Sequence, residues 1–532
     1  MKGQGLAHPR ALLCLAAAIV ALVPLPGCQP YRPLPTGGLV YAGTTQPNSL
    51  SPLTSPDIVS RGAVELVFDG LVDVNERLEI VPALARSWQV SADGLSWTFE
   101  LRRGVRFHDG TPFTSADVTA TYDAILDPGG GSTLPRSDYA GITRVEAPDE
   151  QTVRLTLQEP DASLLSKLTV GICAASPRRL AQDGILRTPA PTARCSVGTG
   201  PFILQEWRPG QHLLFAANPD YYAGPPGLAT LTWEVVPDPA SLLVLLQNSE
   251  ADGALVETPE EAAILTALPS PRAFTAYAVT GGNAQISLQM ADDLFQDVRV
   301  RQALALALDR RAMIAGLLGG QGILSAGDIL PISWAYNPQA AELYPYDPAQ
   351  ARALLEQAGW RPGPDGALTQ DRRRLAFTLS TDAGSRLRRE IALTVRQQWR
   401  QIGADVDVAF VERNTFVVDR VLKGQFQAAL LQSSVRVDPD LSRRFHSRAI
   451  QSGQNFLGYR NPLLDELLDT ALRAPDAAQR APLYQQAQML LARDVPQINL
   501  FYPTAFYCFR NEIQGLKPSA TSLFWNVQEW RR

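Results

Sequence analysis

The chain has 532 residues, 45% hydrophobic and 19% charged, a composition that excludes a disordered or fibrous protein. With 48 basic against 53 acidic residues and a net charge of −5, there is no cationic excess to neutralise a phosphate backbone, so nucleic-acid binding is disfavoured. Lys2 and Arg10 precede the apolar run 11–23. A spanning helix needs about 20 residues, so this shorter run fits the core of an export signal over 1–27. Residues 28–35, with three prolines in the neighbourhood, read as an extended tether. No later stretch is apolar for the roughly 18 residues that a span requires.

Residues 38–42 form an apolar run, the predicted first strand, and 44–56 a polar loop. A helix is expected over 60–71, ending at Asp69-Gly70. A β-rich module follows. Ser87 to Val90 leads into the turn pair Asp93-Gly94, after which Trp97, Phe99 and Leu101 alternate with polar residues and so share one sheet face. Ser115 is the expected cap of a helix through Leu126, and 152–158 alternates as another strand. Strands are predicted at 202–204 and 230–236, and a helix at 241–248.

Asp297 is placed to cap a helix in which Val300, Ala303, Leu304, Ala307 and Leu308 recur at helical spacing. Another helix is expected over 348–359, with Gly359 as its stop. Strand 375–379, helix 385–402 and strand 405–411 form a β-α-β series, the pattern of a parallel layer. Two helices follow within 462–494, then two strands, 497–502 and 504–510.

HExxH, CxxC, GxSxG and Walker A patterns do not occur. Only His8, His108, His212 and His446 are present, which makes a preformed metal cage unexpected. No catalytic residue, metal or cofactor is assigned. Of five cysteines, Cys14 lies in the signal and Cys508 between two aromatics, as an inert core thiol. An oxidising compartment would allow a Cys173–Cys195 disulfide; the alternative is two buried free thiols.

Two resemblances carry the functional reading. Leu25-Pro26-Gly27-Cys28 resembles the bacterial lipobox, with Pro26 a departure from the usual residue types; the match implies a lipid on Cys28, against an ordinary signal with a chance cysteine. The second is an ordered series: Leu84-Ala85-Arg86-Ser87-Trp88, Asp93-Gly94, Trp97-Thr98-Phe99, Leu101 through Val105-Arg106-Phe107-His108-Asp109-Gly110-Thr111-Pro112, and Ala116-Asp117-Val118. It continues with Gly198-Thr199-Gly200-Pro201-Phe202, Asn218-Pro219-Asp220-Tyr221-Tyr222, Phe295 through Asp297-Val298-Arg299-Val300-Arg301-Gln302-Ala303-Leu304, and Ala358-Gly359-Trp360. Together these resemble the family 5 extracellular solute-binding proteins, the dipeptide and oligopeptide receptors of ABC importers.

The resemblance implies an α/β, two-lobed periplasmic-binding-protein-like fold of class II with an additional β-rich subdomain. Lobe I would be 36–72, 175–282 and 497–532, the subdomain 73–174 and lobe II 283–496. Its implied partners are a peptide or similar solute, the ABC permease subunits and, through the N-terminal lipid only, the extracytoplasmic side of the cell membrane; a monomer is expected. Peptide-binding relatives pair the ligand ammonium with an Asp, and Asp438 matches that position, although Arg436-Val437 precede it where the family pattern has Gly. Arg436 would either neutralise Asp438 or bind a ligand acid group, and Asp438 could instead cap a helix begun by Pro439. Gln289 stands where relatives often carry Asn, Trp334 is a candidate cleft wall or a packing residue, and Thr45 lies in a loop placed to edge the cleft. Solutes other than peptides (opines, sugars, metal chelates) stay open, as do a regulatory or chaperone lipoprotein and, remotely, an exported hydrolase.

Overall fold

The computed structural model describes residues 37–532 apart from 55–57, 128–131, 133, 135, 174–196, 257, 365 and 475. The export signal, the tether, Cys28 and the pairing of Cys173 with Cys195 therefore lie outside the described residues; Cys173 itself is a buried thiol. No described helix is long and apolar enough to cross a membrane.

The central feature is a sheet of 12 strands. Its main path runs Asp405–Val411, Ala376–Asp382, Ala428–Gln432, Ala284–Leu288, Gln497–Arg510, Gly253–Val256, Gly38–Gly43, Thr230–Val235, His212–Ala217 and Phe202–Arg208. The expected β-α-β unit is present: Ala376–Asp382 and Asp405–Val411 pair in parallel, joined by the helix Arg386–Gln401. Ser385 caps that helix through Arg388 N–H at 3.3 Å, and Gly403 at φ 87° ends it. Asp297 caps Val298–Leu306 as expected, accepting from Arg299 N–H at 2.8 Å. Both helices bury their apolar faces on this half of the sheet around Trp399, whose Nε1–H donates to Leu304 O at 2.8 Å.

The other half of the sheet has its own core, built from Tyr41, Phe202, Phe215, Trp233, Phe509, Phe524 and Trp530. A third core belongs to a four-stranded sheet ordered Ala85–Val90, Ser96–Leu101, Thr152–Leu157 and Ile142–Asp149. Trp97, Phe99 and Leu101 face inward there with Val153, Leu155 and Leu157, as their alternation requires.

Two expectations need correction. The helix Ser115–Leu126 is capped by Thr114, not Ser115: Thr114 N–H donates to Asp117 Oδ2 at 2.8 Å, the reach-back half of a capping box, while Ser115 is already helical. The two strands expected at 497–510 are one continuous strand, Gln497–Arg510. Its first part pairs with Ala284–Leu288 and Gly322–Leu324, and its second with Phe274–Thr280 and Gly253–Val256. Pro503 does not break it, because the ladder changes partners there and the Pro503 carbonyl accepts from Gly281 N–H at 2.8 Å.

The chain also passes between the two halves through Gly281-Gly282, joining Phe274–Thr280 to Ala284–Leu288. A Cβ on Gly282 would lie 1.7 Å from Ser433 O, closer than any carbon can approach. Gly282→Ala is therefore expected to cost about 3 kcal/mol through forced displacement of the backbone, read as a lowered denaturant midpoint; an unchanged midpoint would show that this crossing yields easily.

Candidate functional site

The most specific sequence motifs converge on one another rather than on a cleft. Asp69, just past the first helix, accepts from Thr199 Oγ1 at 2.7 Å, Tyr221 Oη at 2.9 Å and Tyr222 Oη at 3.4 Å. His108 Nε2 meets Gly200 O at 2.9 Å, and Asn218 Nδ2–H donates to the same carbonyl at 3.0 Å. A Cβ on Gly200 would stand 2.5 Å from the Val67 carbonyl carbon, so the segment Gly198-Thr199-Gly200 can lie against the helix end only without side chains at its glycines. Burial raises the Asp69 carboxyl to about 6, against the hydrogen bonds from Thr199, Tyr221 and Tyr222 and the charge of Arg102. These motifs therefore build a junction between the sheet and the β-rich subdomain. Asp69→Ala strands the Thr199 and Tyr221 hydroxyls and is expected to lower unfolding stability by about 3 kcal/mol; a drop no larger than that of an exposed Asp→Ala control would refute this.

The segments 328–333 and 436–441 line a small cavity. Asp438 is in it, and its carboxylate is taken. Arg480 Nη2–H donates to Oδ1 at 2.7 Å and Nη1–H to Oδ2 at 2.8 Å, while Oδ1 also accepts from Asp440 N–H at 3.0 Å. Arg480 is 4% exposed. It stacks on Trp334 and Tyr484, 5.3 Å from each ring centre, and donates further to Ala471 O, Ala162 O and Tyr484 Oη. Burial disfavours its cation, and the hydrogen bonds and charge of Asp438 more than reverse that. Asp438 caps no helix: the helix of this segment is Ser442–Phe445.

Of the remaining expected site residues, Arg436 and Trp334 adjoin the Asp438–Arg480 pair and Gln289 and Thr45 do not take part in it. Arg436 is exposed and lines the same cavity. Trp334 is 40% exposed and serves as the stacking face for Arg480. Gln289 is elsewhere and occupied, donating to Gly424 O at 2.9 Å and Phe456 O at 3.1 Å while accepting from Ala291 N–H. Thr45 is exposed beyond the end of the first strand.

Two charged clusters lie nearby. Arg444 has its guanidinium 4.3 Å from the Phe456 ring centre, donates to Ser287 Oγ at 3.1 Å and buries Nε–H without an acceptor among the described residues. In the amide orientation its neighbours dictate, Gln285 accepts from Arg444 at 2.7 Å and donates to Asp328 at 2.9 Å, bridging the two charges. On the opposite side, Glu65 accepts from Ser522 Oγ and feels the charge of Asp73. Burial pushes Glu65 up to about 8 and Asp73 up to about 7. Between the two sides, Val74 and Leu78 pack with Leu330, Tyr502, Val435 and Val437. Arg443 pairs with Asp138 of the β-rich subdomain at 2.8 Å. Among the described residues, no three His, Cys, Asp or Glu side chains are grouped to hold a metal ion.

Residues 79–448 match the family model described as bacterial extracellular solute-binding proteins, family 5. The chain belongs to this family. Family 5 relatives match it over most of its length. The oligopeptide-binding protein AppA of Bacillus subtilis is 28% identical, with 94% of this chain and 92% of the relative covered. Protein XP55 of Streptomyces lividans is 32% identical, with coverage of 90% and 86%. The structure of AppA with a nonapeptide superposes with a TM-score of 0.78 at 27% identity, covering 93% of this chain and 98% of that one. NikZ of Campylobacter jejuni with Ni(L-His) gives 0.79 at 26% identity, with coverage of 94% and 100%. The two-lobed α/β fold with an added β-rich subdomain is thus that of the family 5 receptors.

Within this family 5 chain, Arg480, Arg444 and Glu65 escaped the sequence reading. Arg480 stands 42 residues from Asp438 on the helix Ala477–Asp494, and by itself an arginine there reads as solvated. Glu65 sits on a helix of ordinary amphipathic pattern, and only the C-terminal Ser522, 457 residues away in sequence, reveals its burial.

Proposed function

We propose that the protein is the extracytoplasmic receptor of an ABC importer, anchored by a lipid on Cys28 after removal of 1–27, and that it captures a peptide between its lobes for delivery to the permease without catalysing a reaction. The observation that carries this is the near full-length match to a relative named as oligopeptide-binding and solved with a nonapeptide. Three of the cores support, in outline, the proposed division into lobe I (36–72, 175–282, 497–532), subdomain (73–174) and lobe II (283–496), although Ile498, Leu500 and Phe501 pack in the lobe II core and Leu53, Leu71 and Val72 in that of the subdomain. Lobe closure would then be a hinge motion about the crossings at 281–282 and within 497–510, stabilised by contacts a ligand makes only in the closed state. The receptor would act as a monomer.

A second reading, a receptor for a non-peptide solute, is favoured by one observation: Asp438 is already neutralised by Arg480. Native mass spectrometry of the mature protein, purified without refolding and followed by ligand release, separates the two. A distribution of short peptides supports the first reading. A single non-peptide species replaces it with the second. Turnover of added peptide would reject a purely binding role.

A further inference from the structure

The β-rich subdomain touches both lobes, and the two contacts differ in kind. Against lobe I it is fused. Leu53, Leu71 and Val72 pack in the subdomain core. Leu71 N–H donates to Leu168 O at 3.2 Å and Ile172 N–H to Asp69 O at 2.9 Å. The junction adds His108 Nε2 on Gly200 O and Gly200 N–H on Val67 O, at 2.9 Å each. A shared core and a ladder of backbone hydrogen bonds hold the subdomain on lobe I as one body.

Against lobe II the contact is mostly polar. Asp161 fixes a turn by accepting from Lys167 Nζ at 2.6 Å and Ser163 N–H at 2.9 Å, and Ala162 in that turn gives both of its backbone groups to lobe II. Its N–H donates at 2.9 Å to Leu472 O, one of the carbonyls left open at the end of the helix Pro462–Arg473. Its carbonyl accepts from Arg480 Nη1–H at 3.4 Å. Asp138 accepts from Arg443 Nη1–H at 2.8 and 3.2 Å, and both side chains are partly exposed. Neither arginine depends on the subdomain for a partner. Arg480 keeps Asp438, and Arg443 Nε–H donates to Gln454 Oε1 at 2.7 Å, both within lobe II. Separation therefore strands no buried charge, and a partly exposed ion pair returns to water at little cost. The apolar contact of Val74 and Leu78 with Leu330, Val435 and Val437 includes Tyr502 of the strand shared by the lobes, so it sits beside that crossing and can persist when the polar contacts part.

We infer that the β-rich subdomain is a latch: it travels with lobe I, and its Asp138 and Ala162 clasp Arg443, Leu472 and Arg480 of lobe II when the lobes are closed. The inference rests on the hinged two-lobe reading above and gives the subdomain a task within it. Fusion on one side and a few polar contacts on the other are what a reversible clasp needs, because a small polar interface opens readily and a shared core does not.

Amide hydrogen exchange of the full mature protein, resolved at single residues, tests this without a ligand, because exchange at Ala162 rises in proportion to the open population. Asp138→Arg sets like charges against each other at the clasp and is expected to speed exchange at Ala162 about ten-fold; Arg443→Gln, which only removes the pair, about three-fold. The swap Asp138→Arg with Arg443→Asp is expected to bring the rate back to within about two-fold of the parent. Gly200 and Ile172, whose N–H groups bond to Val67 O and Asp69 O at 2.9 Å where the subdomain joins lobe I, are expected to keep the parental rate in every variant. An Ala162 rate that ignores Asp138→Arg would show that the two contacts do not open together, and would overturn the latch. Acceleration of Gly200 and Ile172 in step with Ala162 would overturn it as well, by showing that the subdomain leaves lobe I. Small-angle scattering separates a failed latch from a failed hinge. If a library of tri- to hexapeptides lowers the parental radius of gyration while Ala162 ignores Asp138→Arg, the hinge stands and the latch falls.

Discussion

Asp438→Asn is expected to destabilise the protein by about 3 kcal/mol or more, the scale on which removing one partner leaves a buried charge uncompensated. The reason is Arg480. It is 4% exposed, and among the described residues Asp438 is its only carboxylate partner. Asn keeps the shape and can accept one hydrogen bond, but it cannot offset the guanidinium, and one of its amide hydrogens would face a donor. Equilibrium unfolding in urea reads the effect as a lowered midpoint at unchanged slope. The double replacement Asp438→Leu with Arg480→Met is expected to recover much of the loss, because a buried ion pair is often matched by apolar groups of similar volume. A single variant that unfolds at the parental midpoint yet binds ligand far more weakly would invert the assignment and make Asp438 a ligand contact.

Glu65→Gln is expected to stabilise the protein at alkaline pH and to do nothing near pH 4. In the folded protein the carboxyl is raised to about 8 by burial, eased by the Ser522 hydrogen bond, raised again by the charge of Asp73 and lowered by that of Arg61. An unfolded glutamate titrates near about 4.3. The folded state therefore prefers the protonated acid. The stability this group contributes is fully present below about pH 4 and is lost as pH rises through the folded value. Asp73, raised to about 7, acts in the same direction. Glu65 is only half-buried as a residue, so solvent screens part of the penalty and about 2 kcal/mol is the expected gain for Gln at pH 8.5. Thermal unfolding of both proteins across pH 4–9 measures it. Curves that stay parallel over that range, or a Gln variant less stable at high pH, would show that Glu65 is not an enclosed acid.

Most elements were legible because their signals are local. Asp297 and Ser385 cap helices whose apolar faces are visible within a dozen residues. Trp97, Phe99 and Leu101 announce a half-buried strand by alternation alone. The ordered motifs identified the family because their order and spacing persist through the chain, yet they said little about the ligand. Thr199, Tyr221 and His108 are used at a junction, where several backbones must meet at one carboxylate and one carbonyl.

The candidate site was much less legible. Asp438 was visible as a carboxylate in the right place in the chain, but whether a carboxylate is available depends on what else reaches it. Arg480 arrives from a distant helix, through packing that no local pattern encodes. Gln289 was singled out for its position in a motif, and its amide is consumed by two carbonyls from other segments. The continuous strand Gln497–Arg510 reads as two strands on either side of Pro503, a residue type that ordinarily ends a ladder; the change of partners there keeps the strand whole. The sequence by itself determined the family, the fold class and most of the elements, since caps, periodicity and turn residues act within a few positions. Tertiary structure alone decided which charges are spent and which stay free for a ligand, since a buried charge is governed by partners brought to it from anywhere in the chain.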